Sequence, residues 1–170
     1  SARMLQDAAL NYLDLSLELA KAGLTTQDAN PWNMLFDGCK PIYVDFCSIV
    51  PADPSNRWLP YDEFCRFFLY PLRLMSVGHV TMTRWALHDL FYGIPTSEFE
   101  AVFHRMKSRL RFWKEINVRL RPALRRFVPG PLRVPLKRSL RLLRDATLHP
   151  SSSRSRIEFL ERLKSEVQSI

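Results

Sequence analysis

Between residues 4 and 22 the polar positions Asp7, Asn11, Asp14, Glu18 and Lys21 recur at steps of four and three, leaving Leu5, Ala9, Tyr12, Leu13, Leu19 and Ala20 on the opposite side. That spacing predicts an amphipathic helix, which Gly23 stops. The period then changes. Met34, Leu35 and Phe36, the turn signal Asp37-Gly38, and Ile42, Tyr43 and Val44 read as two short strands in a hairpin. The segment from Thr25 to Asn33 is a loop framed by helix and strand. Beyond Trp58 and Pro60, apolar residues at Tyr61, Phe64, Cys65, Phe68, Leu69, Leu72 and Met75 restore the helical period. Pro71 falls inside this pattern and predicts a kink there.

A short helix is expected from Thr81 to Tyr92, ahead of Gly93. Ser97 with Glu100 reads as a capping box opening a longer helix through Phe99, Val102, Met106, Leu110, Trp113 and Leu120, to end at Pro122. Pro129-Gly130-Pro131 breaks the chain again, and Leu136 to Leu143 has a helical pattern. His149 to Ser153 reads as a linker. Ser155 with Glu158 is a second capping box, followed by Leu160, Leu163, Val167 and Ile170 on one face of a last helix. The pattern predicts a mainly α fold of the α+β class, with helices around a small β hairpin.

Composition narrows the class. The 170 residues are 46% hydrophobic and 25% charged, enough for one domain with a sizeable core. The longest uncharged stretch, Leu74 to Thr83, is far shorter than the roughly 18 apolar residues a membrane-spanning helix needs. Three cysteines, Cys39, Cys47 and Cys65, form no C-x-x-C pair, and the four histidines have no metal-ligand spacing; the expectation is a reducing cytoplasm and no zinc. The chain opens at Ser1 without an initiator Met or a secretory signal, which suggests a piece of something longer. The net charge of +8 is uneven: residues 105 to 144 hold 14 of the 25 Lys and Arg against the single acid Glu115, and the other 130 residues sum to −5. This basic section, interleaved with Phe112, Trp113 and leucines, suits either an anionic membrane or nucleic-acid surface or, as the favoured reading, a helical face packed on further domains.

Candidate chemistry concentrates in Thr25-Thr26-Gln27-Asp28-Ala29-Asn30-Pro31-Trp32-Asn33 and in Asp45-Phe46-Cys47. Asp28 and Asn33 are five residues apart in one loop, and a hairpin can return Asp45, twelve residues on, beside them. A carboxylate that takes a proton from an attacking hydroxyl, together with oxygen ligands for Mg²⁺, is what phosphoryl transfer from a nucleotide needs. The competing reading is that these Asx residues only cap turns. Trp32, after a proline, is expected to be a packing anchor, and Cys47 a small buried filler.

The stretch resembles the catalytic and metal-binding loops of the protein-kinase-like fold in the style of aminoglycoside and choline phosphotransferases, whose pattern is H-x-D-x-x-x-x-N, two strands, then D-F-G. The resemblance covers about residues 4 to 110 and implies the large lobe of such a domain. It implies Asp28 as catalytic base, Asn33 and Asp45 as Mg²⁺ ligands, and Mg²⁺ and ATP as cofactors. Thr26 stands at the motif histidine and Cys47 at the motif glycine. Neither a glycine-rich phosphate loop nor a V-A-I-K-like lysine precedes the loop, so the small lobe is a missing partner, and ATP binding by this chain is expected to be weak or absent. Asp28 to Gly38, Val44-Asp45-Phe46 and Phe64 to Pro71 are also similar to a kinase-like region in certain bacterial proteins, some of them nodulation-related, that carry a class I S-adenosylmethionine-dependent methyltransferase domain further on. This implies a kinase-like lobe over 1–110, a basic helical section over 111–148, and a linker and helix over 149–170 leading to that C-terminal domain. S-adenosylmethionine would then bind outside this chain. Two functions follow as expectations: a phosphotransferase within the larger protein, or a non-catalytic module that positions substrate for the attached methyltransferase.

Overall fold

The computed structural model describes residues 1–54, 57–86, 88, 92–102, 105 and 155–170. The described residues are mainly helical with two small antiparallel β pairs, an α+β arrangement. The chain forms two compact units, Ser1–Ile94 with Thr147–Ile170, and Pro95–Ala146.

In the first unit, α1 (Ala2–Lys21) starts on the Ser1 hydroxyl, which accepts the Met4 N–H, and ends before Gly23, whose φ of +74° lets the chain leave the helix. Its buried face carries Ala9, Tyr12 and Leu13, as the spacing predicts, together with Ala8 and Ser16, while Leu5, Leu19 and Ala20 are only half-buried. Strand β1 (Leu24–Thr26) pairs with β4 (Ile49–Pro51), a ladder the sequence pattern does not reveal because three residues carry no measurable period. Strands β2 (Met34–Asp37) and β3 (Lys40–Tyr43) form the expected hairpin. Its two-residue turn is Gly38-Cys39, one position later than the turn signal suggests, with Gly38 at φ +61° as a type II′ turn requires.

The buried helix is one continuous helical run built of α2 (Tyr61–Phe64), a π-helical stretch Cys65–Leu69, and α3 (Tyr70–Ser76). The Tyr70 N–H reaches back five residues to the Cys65 carbonyl. The irregularity thus precedes Pro71, which lies in the first turn of α3 and has no N–H to return to the preceding turn. The Arg66 carbonyl accepts instead from the Ile94 N–H at 3.1 Å. Helix α4 is Val80–Ala86. Helix α5 (Arg156–Ser169) begins on the predicted Ser155 cap, whose hydroxyl accepts the Glu158 N–H, and buries Phe159, Leu160, Leu163 and Val167. These side chains join Ala8, Ala9, Tyr12 and Leu13 of α1 in one core, each large one contributing about 1.5–3 kcal/mol. Arg156 ties the start of α5 to the Asp53 and Arg57 carbonyls at 2.7 and 3.2 Å.

In the second unit, residues 96–102 are helical. The first helical bond runs from the Phe99 N–H to the Pro95 carbonyl, so Ser97 lies inside the first turn and is not its cap. The expected continuation to Leu120, the basic section 111–148 and the linker His149 to Ser153 fall outside the described residues. Among the described residues no helix is long and apolar enough to cross a membrane.

Candidate functional site

Asp28 and Asn33 lie in the connection between β1 and β2, and Asp45 lies beyond β3. Asp28 follows β1 in the loop, Asn33 ends the 3-10 turn Pro31–Asn33 that leads into β2, and Asp45 sits just beyond β3, ahead of the 3-10 turn Phe46–Ser48. The hairpin folds the last onto the first two. Asn33 Nδ2 donates to Asp28 Oδ1 at 2.8 Å and to Asp45 Oδ2 at 3.2 Å, so one amide bridges both carboxylates. All three side chains are half-buried. The Asn33 backbone is fixed as well, its carbonyl accepting from the Val44 N–H at 3.0 Å.

The turn-capping alternative applies only in part. Asp28 Oδ1 also accepts from the Asn30 N–H at 3.3 Å, a local Asx contact, and Asn30 itself caps the following turn through the Trp32 N–H. Asp45, in contrast, makes no capping bond to the turn it precedes. The second oxygen of each carboxylate, Asp28 Oδ2 and Asp45 Oδ1, carries no protein hydrogen bond among the described residues. Among those residues no three His, Cys, Asp or Glu side chains cluster as metal ligands, so the candidate set is two carboxylates and an amide. An all-oxygen set of this kind fits a hard dication such as Mg²⁺.

Two neighbours differ from expectation. Trp32, in the 3-10 turn, is 59% exposed rather than packed, and Ala29 and Met34 take the buried positions on either side of it. Cys47 is exposed, and Ser48 occupies the buried place in its turn. Phe46, at 73% exposure, also projects outward. Along the hairpin, Met34 and Tyr43 face the core, whereas Leu35, Ile42 and Val44 leave an uncovered apolar outer surface beside the site.

Four supporting side chains were not legible as such in the sequence. Tyr12 of α1 donates to the Asp28 carbonyl at 2.5 Å and also bonds the Thr26 hydroxyl. Glu63 of α2 accepts the Ala29 N–H at 2.8 Å. Tyr43 and Ser48 share a hydroxyl bond of 2.5 Å, and the Ser48 hydroxyl donates to the Asp45 carbonyl at 3.1 Å. Burial raises the phenol pKa values of Tyr12 and Tyr43, keeping both protonated and able to donate. The Tyr12 ring lies among Tyr43, Trp58, Phe64 and Phe68, with centroids 5.8 to 6.3 Å away.

Comparison with known proteins gives one partial likeness. Over 95 residues, 56% of the chain, the sequence is 37% identical to a protein described as Nodulation protein NoeA from Rhizobium meliloti (strain 1021). The matched part is 20% of that protein, so the chain spans about a fifth of its length. No protein family matches the chain, and no solved structure matches it significantly.

Proposed function

We propose that the chain is the large-lobe part of a kinase-like phosphotransferase domain within a larger protein. The observation that carries this reading is the Asn33 amide bridging the Asp28 carboxylate of its own loop and the Asp45 carboxylate that the hairpin returns to it. Residues that merely capped their own turns would have no reason to converge. In this reading Asp28 orients an acceptor hydroxyl and takes its proton through the carboxylate oxygen left without a protein partner. Asn33, through its amide oxygen, and Asp45 hold Mg²⁺, which supplies neutralisation of charge on the transferred phosphoryl group. Bringing two anions onto one amide also favours a dication there. The uncovered apolar face of Leu35, Ile42 and Val44 supports the absence of a covering lobe from this chain. ATP binding by the chain alone is accordingly weak.

The likeness to a nodulation protein about five times the length of the match supports placement in a larger bacterial protein. A methyltransferase domain binding S-adenosylmethionine, outside this chain, belongs to the same proposal. A second reading, a non-catalytic module that positions substrate for that domain, is favoured by the exposed Cys47 at the position of the motif glycine. The deciding experiment is ATP turnover by the full-length protein with and without Asp28→Asn. Turnover abolished by the substitution is expected, by at least 100-fold, as loss of a general base requires. Wild-type protein that turns over no ATP while methylation proceeds would leave the module reading in its place.

A further inference from the structure

We propose that Tyr12, Glu63, Tyr43 and Ser48 are positioning residues that clamp the peptide plane following each candidate aspartate and thereby set the spacing of the two carboxylates. The inference rests on the phosphotransferase reading for its purpose but on separate contacts for its geometry.

The peptide joining Asp28 to Ala29 is held at both ends. Its carbonyl accepts from Tyr12 at 2.5 Å, and its N–H donates to Glu63 at 2.8 Å. The peptide joining Asp45 to Phe46 is held likewise: its carbonyl accepts from Ser48 at 3.1 Å and its N–H donates to the Val44 carbonyl at 3.2 Å. A peptide held at both its carbonyl and its N–H resists rotation, which narrows the ψ of the preceding residue and with it the range of directions its Cα–Cβ bond can take.

Proton counting makes the two clamps alike. Each hydroxyl has one proton to give. Tyr12 gives its proton to the Asp28 carbonyl, so in their shared bond Thr26 is the donor. Ser48 gives its proton to the Asp45 carbonyl, so Tyr43 donates to Ser48. Two relays, Thr26 to Tyr12 to Asp28 and Tyr43 to Ser48 to Asp45, therefore run behind the site. All four hydroxyl residues are buried: Thr26 and Tyr12 at 1% exposure, Ser48 at 4%, Tyr43 at 8%. The relays touch each other, with the Tyr12 and Tyr43 rings 5.8 Å apart, and the backbone joins them where the Gln27 N–H donates to the Ser48 carbonyl at 2.9 Å. Simple satisfaction of buried polar groups would need neither the focus on both aspartate peptides nor contact between the two relays.

The test uses the 170-residue chain and two readouts. Amide hydrogen exchange followed by NMR reports the clamps directly, and paramagnetic broadening during Mn²⁺ titration reports the carboxylate pair. Tyr12→Phe keeps the ring and removes the donor. It is expected to speed exchange at Ala29 and Asn30 about fivefold relative to mid-α1 amides, as loss of one hydrogen bond implies. Mn²⁺ binding should weaken by a similar factor. Tyr43→Phe, which removes the donor to Ser48 but leaves the Ser48 bond to the Asp45 carbonyl, should act in the same direction at Phe46 and by a smaller factor. Glu63→Ala should release Ala29, while Glu63→Gln, which keeps an acceptor oxygen, should restore protection. Acceleration spread evenly over α1 and the loop, or equal behaviour of the Gln and Ala variants, would overturn the proposal. Mn²⁺ bound equally well by wild type and the phenylalanine variants would also overturn it while leaving the phosphotransferase reading intact. A wild type that binds no Mn²⁺ would count against that reading instead, and hydrogen exchange would still decide the clamps.

Discussion

Arg73 of α3 and Glu166 of α5 form an ion pair whose side chains are 3% and 6% exposed, so water screens it little. Removing one member leaves the other charge buried, with an expected loss of about 3–5 kcal/mol. Glu166→Ala should therefore lower the urea midpoint by about 2 M, taking a slope of about 2 kcal/mol/M for a chain of this size. Replacing both members by apolar residues has the opposite logic. Glu166 Oε2 is buried without a hydrogen-bond partner, so the pair does not recover its full desolvation cost. Arg73→Met with Glu166→Leu is accordingly expected to lie within about 1 kcal/mol of the wild type or above it. Urea unfolding should be followed by circular dichroism and by tryptophan fluorescence, to which Trp58 contributes from a buried position with its ring 6.4 Å from Phe159 of α5. A double variant as unstable as Glu166→Ala would refute the desolvation argument. A Glu166→Ala protein within 1 kcal/mol of wild type would show that the pair is not buried as described.

Gly93 combines φ +59° with a close approach, an added Cβ meeting the Arg66 carbonyl at 2.9 Å, whereas Gly38 at φ +61° has open space around it. Gly93→Ala should thus cost more than Gly38→Ala, which should lose about 1–2 kcal/mol from backbone strain alone, and thermal melts of the two variants check the order. Iodoacetamide at neutral pH should modify the exposed Cys39 and Cys47 and spare Cys65, whose thiol burial pushes up to about 12; mass spectrometry of peptides reads the difference. Because that thiol is raised in the folded chain from an ordinary 9.0, its stabilisation is complete below pH 9 and is lost as pH rises toward 12. By pH 10 on the order of 1 kcal/mol should be gone, and Cys65→Ala should flatten the fall of stability with pH, leaving the part due to the buried phenols of Tyr12, Tyr43 and Tyr61.

How far the sequence reveals the fold depends on whether the deciding interaction is local. The face of α1, the Ser155 cap of α5 and the pairing of β2 with β3 all follow from neighbours a few residues apart, and their patterns are plain in the chain. The β1–β4 ladder is hidden because its strands are three residues long and its partners stand far apart in the chain, Leu24 opposite Pro51 and Thr26 opposite Ile49. The irregular helix shows the same division. Pro71 announces a missing N–H, but only the folded chain places the disturbance in the preceding Cys65–Leu69 turn and supplies Ile94 to the orphaned Arg66 carbonyl. Trp32 and Cys47 show the converse: residue type alone favours burial, and the geometry of two short 3-10 turns leaves both outside.

For the candidate site, the spacing of Asp28, Asn33 and Asp45 around a turn signal was enough to bring their backbones near one another, since a hairpin has few ways to close. The chain by itself thus determined α1, the β2–β3 hairpin and α5, and which oxygen-bearing residues stand at the ends of that hairpin. Only the tertiary structure decided that one amide spans both carboxylates, and that Tyr12 and Glu63, 16 and 34 residues away from their loop partners, hold the peptide after Asp28. Periodicity records which face of an element avoids water, and it carries no information about which buried hydroxyl or carboxylate will meet a given carbonyl or amide. That meeting is fixed by how helices and strands pack, where unpaired polar groups are penalised and each must find its partner wherever the fold puts it.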